Sequence, residues 1–110
     1  NPNVVLCERG VKGFDSVARN LFDVTSVPAC HSLSHLPIIV DPSHATGRRT
    51  YVPPMARAAL AAGADGLMIE IHPQPDQALS DGAQTLAFEP FEELLKSLAE
   101  IAPSQHRTLC

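Results

Sequence analysis

The sequence predicts an α/β fold in which a parallel sheet is built from repeated β-loop-α units. Three short apolar runs, bounded by turn residues, have the composition of buried strands and cover residues 4–8, 37–41 and 66–70. Their first residues are 33 and 29 positions apart, about the length of one βα unit. Strands that are apolar throughout and alternate with helices are typical of a parallel sheet with both faces covered, so we expect that arrangement.

Helices are predicted between and after these strands. Residues 14–22 are expected to form one helix, and a second short piece is expected near residues 27–33. Residues 51–63, "YVPPMARAALAAG", predict a stronger helix, because the two prolines suit the first turn and the final glycine fits a C-terminal cap. The clearest helix covers residues 88–101, where the apolar positions fall at helical spacing. Residues 102–110 are expected to be frayed.

The composition is that of an ordinary globular chain, and residues 1–110 can form at most one domain. Hydrophobic residues make up 45% of the chain and the formal net charge is -4, which is typical of neither disordered nor fibrous proteins. No apolar run approaches the roughly 20 residues that a membrane helix needs, so no membrane partner is expected. The first ten residues lack the features of a signal peptide, which predicts a cytoplasmic location.

Two further classes are disfavoured by the cysteines and the charge. The three cysteines form an odd set without a CxxC pair, which argues against a disulfide framework and a zinc ribbon. The chain is mildly acidic and has no basic block, so no nucleic-acid partner is expected. The neighbouring Arg48 and Arg49 could still bind a phosphate locally, although a solvated basic loop is an equal alternative.

Each predicted strand ends in an acid, and polar residues follow it. Glu8 and Arg9 follow the first strand, residues 41–44 the second and residues 70–72 the third. In parallel α/β folds the loops that leave the carboxyl ends of the strands build the active site. We therefore expect these three groups to converge on one edge of the sheet.

One combination at this edge has the chemistry of a divalent metal site. An imidazole from His44 and carboxylates from Glu70 and Asp81 could meet at one ion. The alternative is structural: a loop hydrogen bond for His44, an arginine partner for Glu70, and a cap for Asp81 on the turn at Gly82.

The remaining candidates are one arginine, one histidine and one cysteine. Arg9 at a strand end, with Gly10 beside it, would make a planar phosphate clamp, and the alternative is an ion pair with a neighbouring acid. His72 follows the third strand and is a candidate for the same edge. Its structural alternative is packing against the prolines around it. Cys7 is placed in the wall as a small hydrophobe rather than at the metal.

Three βα units are too few for a closed eight-fold barrel, which takes about 250 residues. The chain is therefore expected to be a C-terminal fragment. Four motifs carry a resemblance to a known family: "LCERG", "LPIIVDPSHATGRR", "AALAAGADGLMIEIHPQP" and "ALSDGAQTL". In this order they closely resemble the C-terminal part of type I beta 3-deoxy-D-arabino-heptulosonate 7-phosphate (DAHP) synthases, over about residues 4–101.

The resemblance implies a fold and an activity. The fold is a (β/α)8 TIM barrel, of which this chain would supply about strands 6 to 8 with their helices. The activity is that of a transferase of the shikimate pathway, which condenses phosphoenolpyruvate with erythrose 4-phosphate and water to give DAHP and phosphate. The full-length protein is expected to be a homo-oligomer, and the fragment alone to be inactive.

The resemblance also assigns roles to four residues. The family's metal ligands fall on His44, Glu70 and Asp81, and its phosphoenolpyruvate-binding arginine falls on Arg9. The family's fourth metal ligand is a cysteine in an upstream segment that this sequence does not contain. Most of the family's substrate-binding residues also belong to such upstream segments. The implied cofactor is one divalent ion, with Mn, Fe, Co and Zn all compatible.

Three questions stay open at the level of sequence. The general acid or base could be Asp41, His72 or metal-bound water. The related 3-deoxy-D-manno-octulosonate 8-phosphate synthase, which uses arabinose 5-phosphate, shares the barrel and the metal residues and is the alternative activity. A non-catalytic fragment is the alternative from another class.

Overall fold

The computed structural model describes all 110 residues and has an α/β fold around a small parallel sheet. The strands are β1 (Leu6–Glu8), β2 (Ile38–Val40) and β3 (Gly66–Leu67), in the order β1-β2-β3. Leu6 pairs with Ile38, and Ile39 pairs with Gly66, both in parallel register. Each strand is shorter than the apolar run that predicted it, but all three lie where they were expected.

Four α-helices and three single 3₁₀ turns complete the fold. They are α1 (Ser26–Leu33), α2 (Pro42–Thr46), α3 (Val52–Ala61) and α4 (Phe88–Ile101), with 3₁₀ turns at Pro75–Gln77, Gly82–Gln84 and Ala102–Gln105. The bounds of α4 coincide with the predicted ones. Gly63 follows the end of α3 with a φ of +97°, in the left-handed region that glycine adopts without strain.

The predicted helix at residues 14–22 is wrong. This segment is irregular, and the side chains of Phe14, Val17 and Leu21 are exposed, so these residues form no buried helical face. The backbone N–H groups of Arg19 and Asn20 instead donate to carbonyl oxygens of α2, at 3.0 and 2.9 Å. Tertiary hydrogen bonds therefore replace the helical ones that local propensity favoured.

Two apolar clusters hold the helices in place. The first lies between the sheet, α1 and α3 and contains Val27, Ile38, Val40, Ala59 and Ala64. The second joins α3 to α4 and contains Val52, Ala56, Leu60, Leu86, Leu94, Leu98 and Ala102. Burial of these side chains removes apolar surface from water, which is the main term that fixes the helices relative to the sheet.

Only one face of the sheet is covered, so the expectation of two covered faces is wrong for this chain. Ile38 and Val40 point into the cluster beneath α1 and α3, whereas Cys7 on the opposite face is exposed. Just beyond β3, 44% of Met68 is exposed. The reason is that α1 and α3 pack on the same side, and the chain provides no element for the other.

A charged cluster closes the amino-terminal edge of the sheet. Asp65, just before β3, lies 2.8 Å from both His31 and Arg107 and accepts the N–H of Ile38 at 2.8 Å. Burial by itself raises the pKa of Asp65, but these hydrogen bonds and the charge of Arg107 outweigh it and lower the pKa to about 2. Since Arg107 is fixed and residues 102–105 form a 3₁₀ turn, the expected fraying is wrong over this part of the tail.

A cavity of about 610 Å³ lies beside this amino-terminal edge, between α4 and the C-terminal residues. No helix combines the length and the apolar character required to cross a membrane.

Candidate metal and substrate site

The opposite, carboxyl-terminal edge of the sheet collects the polar residues that the sequence placed at the strand ends. Arg9 follows β1, Asp41 follows β2 and Glu70 lies three residues after β3. The Arg9 Nε atom is 3.6 Å from a carboxylate oxygen of Asp41. The predicted convergence on one edge is therefore observed.

Asp41 and His44 form the centre of this edge. Asp41 is fully buried and caps the short helix α2, because its Oδ1 atom accepts the His44 backbone N–H at 2.9 Å. Its Oδ2 atom lies 2.6 Å from His44 Nδ1. Pro42 occupies the first turn of α2, where its fixed φ suits the helix start. One aspartate thus fixes both the backbone and the ring of His44.

The other ring nitrogen of His44 faces two carboxylates. His44 Nε2 lies 2.8 Å from Glu70 Oε1 and 3.6 Å from Asp81 Oδ2. The structural alternatives for the acids do not match this geometry. Glu70 has no arginine partner, and the Asp81 side chain does not cap the turn that follows it.

Two neighbouring segments position the acids. The N–H of Glu70 donates to the hydroxyl of buried Ser43 at 3.1 Å, which ties this residue to α2. The N–H of Leu86 donates to the Glu70 carbonyl at 2.9 Å. Asp81 has a φ of +54°, uncommon for a residue other than glycine, and the Thr85 hydroxyl donates to its carbonyl at 2.8 Å.

These residues fit a divalent ion. Ligand atoms from His44, Glu70 and Asp81 all lie within 4.8 Å of one another. Two atoms bonded to one ion at about 2.1 Å are themselves roughly 3 to 4 Å apart, so only small adjustments would bring all three to one centre. The Asp41 contact to Nδ1 leaves Nε2 for the ion, an arrangement common in metal sites. One nitrogen with two carboxylate oxygens suits Mn, Fe, Co or Zn.

Arg9 has features of both alternatives proposed from the sequence, a phosphate-binding residue and an ion pair with a neighbouring acid. It contacts Asp41, but 62% of its side chain is exposed and neither terminal nitrogen has a protein partner. Gly10 has a φ of +99°, and a Cβ there would come within 2.9 Å of the Ala45 backbone. The glycine thus lets the chain pass close to α2.

Glu8 and Cys7 adjoin the site without reaching its centre. Glu8 is 7% exposed, and its Oε1 atom accepts the N–H groups of Gly10 and Asp23 at 2.9 and 3.4 Å. Burial raises the pKa of Glu8. Partial burial also raises the pKa of the Cys7 thiol, with a further contribution from the charge of Asp41. A raised thiol pKa disfavours the thiolate that binds metals.

The other predicted residues lie at the periphery. Arg49 donates to Asp76 and to the Gly82 carbonyl, each at 2.7 Å, and so holds the segment that carries Asp81. Arg48 stacks over the Tyr51 ring at 5.6 Å. His72 is outside the cluster, and its Nδ1 atom accepts the N–H of Gln74 at 2.9 Å.

Sequence reasoning missed Arg19 and Gln84. The Arg19 Nη1 atom donates to Asp81 Oδ1 at 3.1 Å and to Gln84 Oε1 at 3.0 Å. Arg19 stands in the segment mistaken for a helix, 62 residues from Asp81, so no local spacing could have linked them.

The fold and the cluster define a class: parallel α/β proteins that concentrate their chemistry at the carboxyl ends of the strands. A comparison with protein families identifies the member of that class. The DAHP synthetase I family model matches residues 1–106, and the chain belongs to this family.

The relatives agree with this assignment. Phospho-2-dehydro-3-deoxyheptonate aldolase of Thermotoga maritima is 50% identical over 102 residues, which are 93% of this chain and 30% of the relative. A 2-dehydro-3-deoxyphosphooctonate aldolase of Desulfosudis oleivorans is 36% identical and covers 92% of this chain. A truncated form of 3-deoxy-D-arabino-heptulosonate 7-phosphate synthase from Thermotoga maritima superposes over the whole chain with a TM-score of 0.98 and 46% identity.

The match covers only part of each relative. The chain spans 30% and 39% of the two curated relatives and 42% of the solved structure.

Proposed function

We propose that this chain is the C-terminal part of a DAHP synthase, a transferase that condenses phosphoenolpyruvate with erythrose 4-phosphate and water. The observation that carries the proposal is the convergence of His44, Glu70 and Asp81 at the carboxyl-terminal edge of a parallel sheet, in a chain of this family. In the complete protein the chain would provide about strands 6 to 8 of a (β/α)8 barrel, and the uncovered sheet face would line the barrel interior.

The three ligands would hold one divalent ion. When bound, that ion would supply Lewis-acid polarisation of the aldehyde carbonyl of the sugar phosphate. Asp41 would keep His44 in the tautomer that leaves Nε2 unprotonated, since its carboxylate accepts the proton on Nδ1. The choice among Mn, Fe, Co and Zn would depend on availability as much as on this ligand set.

Arg9 would bind the phosphate of phosphoenolpyruvate. Its two terminal nitrogens have no protein partner, and its Nε side is directed to Asp41, so the planar outer edge is free for a phosphate. This contact would orient the double bond of phosphoenolpyruvate toward the aldehyde carbon. The new carbon–carbon bond forms there, water adds at the former enol carbon, and inorganic phosphate leaves.

The two side-chain candidates for proton transfer differ in their access to substrate. Asp41 is fully buried and engaged by His44, which favours a positioning role. His72 lies outside the cluster, but its Nε2 atom has no partner, so it stays the candidate for moving a proton. The cytoplasmic location and the homo-oligomeric state of the full-length protein also stay predictions.

A coupled assay tests the function. The full-length protein, with manganese, would be offered phosphoenolpyruvate and either erythrose 4-phosphate or arabinose 5-phosphate. We expect turnover with erythrose 4-phosphate, in line with the higher identity to the heptonate aldolase than to the octonate aldolases. Preference for arabinose 5-phosphate would support the octulosonate alternative. Residues 1–110 alone should be inactive, since the upstream clamps are missing.

A further inference from the structure

The side chain of Arg19 contacts two residues of the segment that carries Asp81. Its Nη1 atom donates one N–H to Asp81 Oδ1 at 3.1 Å and the other to Gln84 Oε1 at 3.0 Å. Gln84 is only 2% exposed, so this second acceptor has a fixed place in the protein interior. The remaining oxygen of Asp81, Oδ2, is the one that lies 3.6 Å from His44 Nε2.

The backbone of Arg19 is fixed by the helix that carries His44. The N–H of Arg19 donates to the Thr46 carbonyl at 3.0 Å. The next residue, Asn20, donates its N–H to the Ala45 carbonyl at 2.9 Å and its side-chain amide to the His44 carbonyl at 3.2 Å. The position of Arg19 is thus coupled to α2 independently of its contact with Asp81.

The stem of Arg19 passes through a space that glycine keeps open. A Cβ on Gly47 would lie 2.5 Å from the Cβ of Arg19, closer than two such atoms can approach. Gly47 has a φ of +66° and ends α2. The end of α2 therefore combines a left-handed turn with a direct contact to the Arg19 stem.

The two ends of the loop that carries Arg19 are held together by hydrogen bonds to one side chain. Glu8 accepts N–H groups from Gly10 and Asp23 with a single carboxylate oxygen, and these two residues bound the loop. The hydrogen bonds to Glu8 and to α2 lower the conformational freedom of the loop, so Arg19 contacts Asp81 from a defined position.

We propose that Arg19 is a positioning residue: by holding Oδ1 of Asp81, it turns Oδ2 toward His44 and Glu70 and prepares Asp81 as a metal ligand. The inference rests on the metal site of the proposed function. It extends that site to the segment after β1, which contains no ligand of its own.

The proposal and simple electrostatics predict opposite signs. Removal of a positive charge beside Asp81 would strengthen binding of a cation if charge alone mattered. Loss of the hydrogen bond would free the Asp81 carboxylate to rotate, which weakens binding. Removal of outer partners of metal ligands weakens metal affinity by about 10- to 100-fold, and we expect an effect in this range.

The experiment measures manganese affinity of the full-length protein from the electron paramagnetic resonance signal of free Mn²⁺. Arg19→Gln should bind Mn²⁺ about 10-fold or more weakly. Arg19→Lys keeps the charge, but its nitrogen ends about one bond short of Nη1, so affinity should still fall below that of the wild type. The matched control is Arg57→Gln, since Arg57 on α3 makes no ion pair or hydrogen bond, and its affinity should be unchanged.

Two further measurements separate the possible failures. Thermal unfolding without metal shows whether a variant is folded, and if Arg19→Gln is not, the Arg19→Lys affinity decides. Wild-type affinity in Arg19→Lys, or equal or tighter binding in Arg19→Gln, overturns the inference. His44→Ala tests the metal site itself: if it binds Mn²⁺ like the wild type, the proposed function fails, whereas loss in His44→Ala alone defeats only the role of Arg19.

Discussion

The two edges of the sheet carry acidic and basic side chains in opposite proportions. At the amino-terminal edge one acid, Asp65, faces His31 and Arg107. At the carboxyl-terminal edge one imidazole, His44, contacts three acids, while the nearest cations reach those acids only from the outer side. In the first cluster the single acid is matched by basic partners. The second cluster has more negative charge than its own cations neutralise.

This difference separates a stabilising charged cluster from a candidate binding site. The contacts of Asp65 lower its pKa, which means that the folded state favours its charged form. Carboxylates held within a few ångströms of one another repel, and a cation bound between Glu70 and Asp81 would remove that repulsion. A fold that retains such a group at the ends of its strands has the chemistry of a binding site.

The largest expected effect comes from removal of a ligand at the acid-rich edge. In the full-length protein, His44→Ala and Glu70→Gln should each lower Mn²⁺ affinity and turnover by at least about 100-fold, more than the loss of an outer partner. Equilibrium metal binding and initial rates check this. Full activity of His44→Ala after chelator treatment would show that the metal assignment is wrong.

A smaller effect is expected from the acid behind His44. Asp41→Asn can still cap α2, but its amide nitrogen would face His44 Nδ1 and favour the tautomer with the proton on Nε2. Metal affinity should fall by about 10- to 100-fold. Glu100→Gln, on the exposed side of α4, is the control and should bind metal normally. Equal affinity in the two variants would remove Asp41 from the site.

Next in size is the effect of Arg9→Lys, which retains the charge and loses the planar pair of donors. The KM for phosphoenolpyruvate should rise by about 10-fold, because a charged hydrogen bond contributes roughly 1.5–3 kcal/mol. The KM for the sugar phosphate should change less. Steady-state kinetics with each substrate varied in turn would test this, and equal changes in both constants would indicate a general structural role.

The smallest effect on the site is expected from the amino-terminal edge. The pKa of Asp65 falls from 3.8 to about 2 on folding, so its charged contacts stabilise the protein fully above pH 3.8 and are lost as the pH falls through about 2. Asp65→Asn should lower the free energy of unfolding at pH 7 by between about 1 and 2 kcal/mol.

Two measurements on Asp65→Asn complete the comparison. Chemical denaturation at pH 7 and near pH 2 should show that the difference from the wild type disappears in acid. Mn²⁺ affinity at pH 7 should be unchanged, since Asp65 does not contact the cluster. A loss of metal affinity equal to that of Asp41→Asn would mean that the two edges are not independent.

The parts of the fold that follow short-range patterns could be predicted from the sequence. The apolar runs located the strands, and helical spacing located α4 to the residue. The candidate ligands could also be proposed, because the ends of parallel strands share one edge and because the four motifs resemble those of a known family. The irregular segment at residues 14–22 could not be predicted, since its hydrogen bonds go to α2 rather than along its own backbone.

The residues that support the candidate ligands could not be predicted from the sequence either. Helix α2 has only five residues and depends on the Asp41 cap, so periodicity over so short a segment gives no signal. The contact of Arg19 with Asp81 joins residues from different βα units. Such contacts depend on the assembled tertiary structure, which explains why the candidate ligands could be proposed from the sequence and their supports could not.

The order of the strands in the sheet follows their order in the chain, and this affects how the site would open. Each parallel pairing joins segments about 30 residues apart, so the two closures cost similar amounts of chain entropy. We expect the three units to gain and lose amide-exchange protection together, as one cooperative unit within the complete protein. His44, Glu70 and Asp81 would then separate in a single opening event, and a bound ion would resist that event for all three units at once.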